Sequence, residues 1–159
     1  MSASATFAAV KGQFTGNEVE LTRALPFLIH ACYQQLRSVT YKEFMSHGLE
    51  LTPEQWIVLV QLWREDGQSQ SALSELTLRD RPTMSRILDT MEKSGLVERA
   101  INDRDARSRL IRLTRKGKAL QAKLVPVAKQ LIARLEADIA ERDLEVTHRT
   151  LARMFANLR

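Results

Sequence analysis

Between Arg79 and Lys118 the chain holds twelve Lys/Arg against six Asp/Glu, a net charge of +6. The remaining 119 residues hold twelve against thirteen and are close to neutral, within a total of +5. An excess confined to one stretch is the electrostatic footprint of a polyanion contact. Two clusters inside it carry the chemistry. "RPTMSR" offers Arg81, Pro82, Thr83, Ser85 and Arg86, with Thr90 one turn further on. Their side chains are short and polar, or long and bidentate, and so suited to base edges and nearby phosphates. "DRDARSR" offers Arg104, Asp105, Arg107 and Arg109. An arginine on a projecting loop can enter the narrow, electronegative minor groove, and Asp105 paired with Arg107 would hold that guanidinium at a fixed angle.

Other chemistries find little support. The chain shows no Gly-rich phosphate loop, no Ser or Cys nucleophile beside a suitable His, and no His/Glu metal motif. His30, His47 and His148 lack ligand spacing. We therefore expect no enzyme activity, no metal and no cofactor. The single cysteine, Cys32, excludes an intrachain disulfide. The start, "MSASATFAAVKGQF", has no signal-peptide pattern, and no apolar run approaches ~20 residues. The expected compartment is the cytoplasm, with no membrane partner.

The elements that must position these clusters follow from periodicity. Residues 1–17 are small and polar and read as a flexible arm. Leu21, Leu25, Ile29, Cys32, Leu36 and Val39 recur at helical steps, giving a helix to about Ser46 that ends at Gly48. Cys32, between Ile29 and Leu36 on that stripe, reads as a packed thiol. "LTPEQW" opens a second helix with Thr52 as N-cap, Pro53 at the first position and Gln55 closing a capping box. Trp56, Leu59, Val60, Leu62 and Trp63 make it a central helix broken by Gly67.

Two short helices come next. One is capped by Ser69 or Ser71 with Leu73 and Leu76 inward. The other starts at Pro82, buries Met84, Ile87, Leu88 and Met91, and stops at Gly95. At 100° per residue Pro82, Arg86, Asp89 and Lys93 of the second point outward, flanked by Thr83, Ser85 and Thr90. "LVERAI" and "RLIRL" read as strands of a hairpin joined by a polar loop of about seven residues. Thr114 caps a long helix with the stripe Leu120, Leu124, Val127, Leu131, Leu135 and Ile139, and Asp143 caps a last helix. The terminal stripes exceed what one small domain can cover, so partner helices are expected.

Short helix, short helix and basic hairpin in that order form a winged helix-turn-helix. The segments "LTPEQWIVLVQL", "QSALSEL", "RPTMSRILDTMEKSGLVER" and "DRDARSRLIRLTRKGKAL", in this order and spacing, resemble the MarR family of transcriptional regulators. Asp105, Arg107, Leu113, Thr114 and Gly117 fit that family's wing pattern. The resemblance implies a dimer built from N- and C-terminal helices and a palindromic double-stranded DNA operator. The helix from Pro82 to Lys93 would be the recognition helix and Arg107 the minor-groove arginine. A small effector, commonly aromatic or anionic, would release the DNA. Arg37 and Tyr41, with Trp56 and Trp63, are the candidate effector residues.

The expected fold class is mainly α: a winged helix-turn-helix DNA-binding lobe with a short β-hairpin wing, plus terminal dimerisation helices. The expected division is an arm at 1–17, a dimerisation helix at 18–48, the DNA-binding lobe at 49–118 and C-terminal dimerisation helices at 119–159. The expected function is a repressor acting as a homodimer. The alternatives are a redox-sensing regulator acting through Cys32, and a dimeric helical adaptor that binds no DNA.

Overall fold

The computed structural model describes residues 25–102 and 105–159, with the side chains of 102–108 outside the described set. The expected arm at 1–17 and the helix start at Leu21 therefore lie outside the described residues, as does Arg104. In chain order the elements are α1 (Leu25–Ser46), α2 (Pro53–Arg64), β1 (Gln68–Ser69), α3 (Gln70–Thr77), α4 (Arg81–Lys93), β2 (Val97–Asn102), β3 (Asp105–Leu113), α5 (Arg115–Leu135) and α6 (Glu141–Asn157). The fold is mainly helical with a small antiparallel sheet, the architecture of a winged helix-turn-helix.

Local chemistry explains most of the boundaries. Thr52 accepts from the Gln55 backbone N–H while the Gln55 side chain accepts from the Thr52 N–H, closing the capping box of α2. Ser69, not Ser71, caps α3, accepting from the Ala72 N–H at 3.1 Å. α4 begins one residue before Pro82, because Asp80 is its N-cap and accepts from the Thr83 N–H at 2.7 Å. Gly95, at φ +68°, lets the chain reverse after α4 so that the Leu96 N–H reaches the Met91 carbonyl. Asp143 does not cap α6. Ala140 is the N-cap without a side-chain bond, and Asp143 lies inside the first turn, where its charge suits the helix dipole.

The sheet departs from a simple hairpin in two ways. β1 pairs with β3, giving a three-stranded sheet in the order β1-β3-β2. Two residues carry too little pattern to announce a strand; Gln68 is placed by pairing with Ile111. The joining loop is also shorter than the charged sequence suggests. β2 runs on to Asn102 and β3 starts at Asp105, with a register shift at Ile101/Asn102. Backbone pairing tolerates polar side chains on a projecting ribbon.

The core is drawn from nearly every element: Phe44 of α1, Leu59 and Leu62 of α2, Leu73 of α3, Met84, Leu88 and Met91 of α4, Ile111 of β3 and Leu124 of α5. Leu76 faces out rather than in, because the buried arc of α3 is centred on Leu73 and Ser74 and Leu76 lies on the far side of Leu73 from Ser74. The apolar stripes at both ends stay open in the protomer. Leu25, Phe27, Ile29, Tyr33 and Leu36 of α1 are exposed, and α6 has no buried residue. Cys32 is likewise exposed, because this part of α1 extends beyond the core that holds Thr40 and Phe44. α5 stops at Leu135, leaving Ile139 in the connection to α6.

Candidate nucleic-acid interface

The side chains that could read DNA stand on α4 and the sheet beside it. Met84, Leu88 and Met91 are fully buried and lock the rotation of α4. Arg81, Pro82, Arg86, Asp89 and Lys93 are consequently exposed, with Thr83 and Ser85 half-buried on the flanks. This is the outward face that 100° spacing anticipates. Not every hydroxyl there is available to a ligand. Thr83 donates to Asp80 at 2.9 Å as part of the cap. Thr90, though exposed, donates to the Ile87 carbonyl and accepts from the Gln55 side chain of α2 at 3.3 Å. Thr90 thereby ties the back of α4 to the central helix.

Charge on α4 is arranged as carefully as shape. The Thr83 backbone N–H and hydroxyl hold the Asp80 carboxyl below its ordinary range, with a smaller contribution from Arg86. Asp89 and Glu92 both pair with Arg99 of β2, Asp89 at 2.5 Å. Burial works against the Arg99 charge, but the bonds and attraction of the two carboxylates outweigh it and raise its pKa. Sequence spacing alone does not reveal this clamp, because its partners lie seven and ten positions apart on different elements.

Sheet register places the wing residues. Arg99 pairs with Ile111 and Ile101 with Arg109, so Arg99 and Arg109 share one sheet face. Arg99 reaches α4 from that face, and Arg109 is exposed on it. Arg112 lies on the opposite face, opposite Glu98. Asp105 and Arg107 belong to β3 by backbone, while their side chains and Arg104 lie outside the described residues.

The base of the wing explains the Thr114 and Gly117 pattern. Thr114 caps α5, accepting from the Gly117 N–H and donating to the Gly95 carbonyl at 2.6 Å. A Cβ on Gly117 would lie 2.1 Å from the Leu96 carbonyl oxygen, so only glycine allows α5 to approach β2 this closely. The Gly117 carbonyl in turn accepts from the Trp63 indole N–H at 3.0 Å.

The four candidate effector residues are not brought together. Trp56 and Trp63 meet edge to face, with ring centroids 5.6 Å apart. They line a groove of about 360 Å³ between α2 and α5 with Val60, Arg64, Val125, Lys129 and Ile132 among its walls. Arg37 is instead committed to Glu54 at 2.7 Å, and neither it nor Tyr41 lines that groove. Burial alone would raise the Glu54 pKa, but the bonds from Arg37 and from its surroundings bring it below the ordinary value. Arg64 and Lys129 are the cations that line the groove; one ends α2 and the other sits mid-α5, with no local motif in the sequence to join them. Among the described residues no cluster of His, Cys, Asp or Glu could hold a metal ion, and no helix is long and apolar enough to cross a membrane.

Comparison with known proteins adds an independent line. A model of the MarR family matches residues 51–108. The HTH-type transcriptional regulator TtmR of Methylorubrum extorquens (strain PA1) is 37% identical over 84 residues, 53% of this chain and 43% of that protein. The chain thus spans less than half of TtmR's length. The organic hydroperoxide resistance transcriptional regulator of Bacillus subtilis (strain 168) is 30% identical over 111 residues, covering 70% of this chain and 74% of that protein. A probable transcriptional regulator from Pseudomonas aeruginosa superposes with a TM-score of 0.78 at 25% identity, covering 84% of this chain and 98% of its own. Two further structures share the fold. The repressor CouR, bound to a 23-mer DNA duplex, gives a TM-score of 0.76 at 24% identity over 90% of this chain and 99% of its own. BpsR of Bordetella bronchiseptica, whose DNA binding is regulated by 6-hydroxynicotinic acid, gives 0.77 at 20% identity over 90% and 97%.

Proposed function

The chain belongs to the MarR family of transcriptional regulators, whose members are regulators and not enzymes, and on that premise we propose that it is a homodimeric repressor released from a palindromic operator by a small effector. Residues 49–118 are the DNA-binding lobe in this reading, and the helices in 18–48 and 119–159 form the dimer. The observation that carries it is the closeness of two cationic elements, α4 and the sheet face that Arg99 and Arg109 share. α4 turns Arg81 and Arg86 outward, and the sheet face bearing Arg109 looks toward the same helix. Helix in the major groove and wing along the neighbouring minor groove is the contact this geometry supports. The Arg107 side chain would supply the minor-groove contact.

Dimerisation is supported by the open apolar faces of α1 and α6, where Leu25, Phe27, Ile29, Leu151, Phe155 and Leu158 are exposed. Two-fold symmetry would set the recognition helices about 34 Å apart, one turn of the duplex. The effector would enter the Trp56/Trp63 groove, whose size and aromatic walls suit a planar ring and whose Arg64 and Lys129 suit a carboxylate. From there a push on Trp63 acts on the Gly117 carbonyl, and Gly117 lies against Leu96 at the foot of β2. A ligand favouring a displaced Trp63 would shift the wing away from its DNA-binding position.

The test is selection of duplexes from a random pool, with sedimentation of the free protein and of the complex. The expected result is an enriched two-fold-symmetric sequence bound by one dimer. A solitary protomer at micromolar concentration, or a pool with no enrichment, overturns the proposal. An aromatic carboxylate that raises Tm and weakens the complex would complete it.

A further inference from the structure

We propose that Arg99 is a positioning residue for DNA binding: its guanidinium holds the Asp89 and Glu92 carboxylates of α4 away from the approaching phosphates. The inference rests on the DNA-binding reading and deepens it.

Asp89 shares the outward arc of α4 with Pro82, Arg86 and Lys93, and at 100° spacing it stands at the edge of that arc nearest Glu92. A free carboxylate there faces the sugar-phosphate wall, where like charge opposes binding. Glu92 lies on the flank of the same arc, one turn further round. Arg99 arrives from β2 and engages both, one nitrogen to each carboxylate. A planar fork with five N–H donors holds two carboxylates at a fixed spacing, whereas a lysine ammonium is a compact charge whose donors impose no such geometry. Arg99 is also the most sheltered of the three, with its side chain 26% exposed against 49% for Asp89 and 40% for Glu92. The pairing couples α4 to β2, the two elements that must meet adjacent grooves together.

The experiment uses the duplex enriched by the wild-type protein from a random pool. Arg99→Gln is expected to weaken binding about tenfold near 0.1 M salt, with the gap closing as salt rises, because the unmasked carboxylates act through screened repulsion. Arg99→Lys is expected to recover only part of the loss. Adding Asp89→Asn and Glu92→Gln to Arg99→Gln is expected to restore affinity to within about threefold of wild type, since no carboxylate is then left to mask. Melting of each variant reads folding separately from affinity.

Wild-type affinity in a folded Arg99→Gln variant overturns the clamp. So does a triple variant that melts like the wild type yet stays as weak as the single one. If the wild type itself enriches no duplex, the DNA-binding reading falls, and this proposal with it. If the wild type binds and only the Arg99 variants behave otherwise than stated, the clamp alone falls.

Discussion

Gly117→Ala sets two effects of opposite sign against each other, and the structure decides between them. Gly117 is inside α5, where replacing glycine by alanine ordinarily stabilises a helix by about 1 kcal/mol. Here the added Cβ would lie 2.1 Å from the Leu96 carbonyl oxygen and 3.1 Å from the Leu113 side chain. Relief requires α5 and the foot of β2 to separate by about 1 Å, and a buried backbone carbonyl cannot swing aside as a side chain can. That carbonyl also accepts from the Thr114 N–H at 3.1 Å and the Thr114 hydroxyl at 3.2 Å. Overpacking of this kind costs about 1–3 kcal/mol, and a weakened buried hydrogen bond adds about 1 more. The net expectation is destabilisation by about 2 kcal/mol, or roughly 5 °C in Tm for a chain of this size. The assay is thermal or urea unfolding at one fixed protomer concentration, since dimerisation makes Tm depend on it. Lys118→Ala serves as the control in the same turn; it removes the ion pair with Asp66 and should shift stability far less. An alanine variant as stable as the wild type, or more so, would show that the close approach at Leu96 does not constrain the fold.

The other predictions follow from single contacts. Asp80→Asn keeps an acceptor for the Thr83 N–H but removes the charge. Because the Asp80 pKa is lowered in the fold, its contribution is complete above the ordinary aspartate value of about 3.9 and is lost as pH falls through the lowered value. The variant should therefore lose less stability than the wild type in that acid window, and parallel curves would refute the assignment. Arg86→Ala should cost about 1–3 kcal/mol of operator affinity and relax preference at one base pair per half-site; an equal loss on every duplex would mean phosphate contact alone. Arg107→Ala should lower the slope of log affinity against log salt, and unchanged binding through a salt titration would remove it from the interface. Cys32→Ser should respond to peroxide as the wild type does; release that requires Cys32 would put the redox alternative in place of the effector.

The winged lobe is held together by connections that also link its functional surfaces. Gln55 closes the cap of α2 and reaches Thr90 on α4. Asp66, just after α2, accepts from the Leu113 N–H at 2.8 Å and pairs with Lys118 of α5. Trp63 bonds the first turn of α5. The central helix therefore touches α4, the sheet and α5 through polar side chains at its two ends. A small displacement of α2 against α5 would be felt by the wing and α4, which is the mechanical route that the proposed effector release would take.

What the amino-acid order determined by itself was local. Thr52, Pro53 and Gln55 start α2, and Thr114 starts α5, because a cap needs only partners two or three residues away. The outward face of α4 was equally legible, since burial of Met84, Leu88 and Met91 repeats at the helical period. The concentration of positive charge between Arg79 and Lys118 points to a polyanion partner whatever the fold. Tertiary structure decided the rest. Strand β1, the separation of Arg37 from the tryptophan groove, the exposure of Cys32 and the joining of Asp89 to Arg99 each depend on residues distant in sequence meeting in space. Helical periodicity says which residues share a face, but it does not say whether that face finds cover within the same chain. The expectation that the terminal stripes outrun the cover of one domain follows from their length, and packing decides which residues stay open: Leu25, Phe27 and Ile29 of α1 and Leu151 and Phe155 of α6.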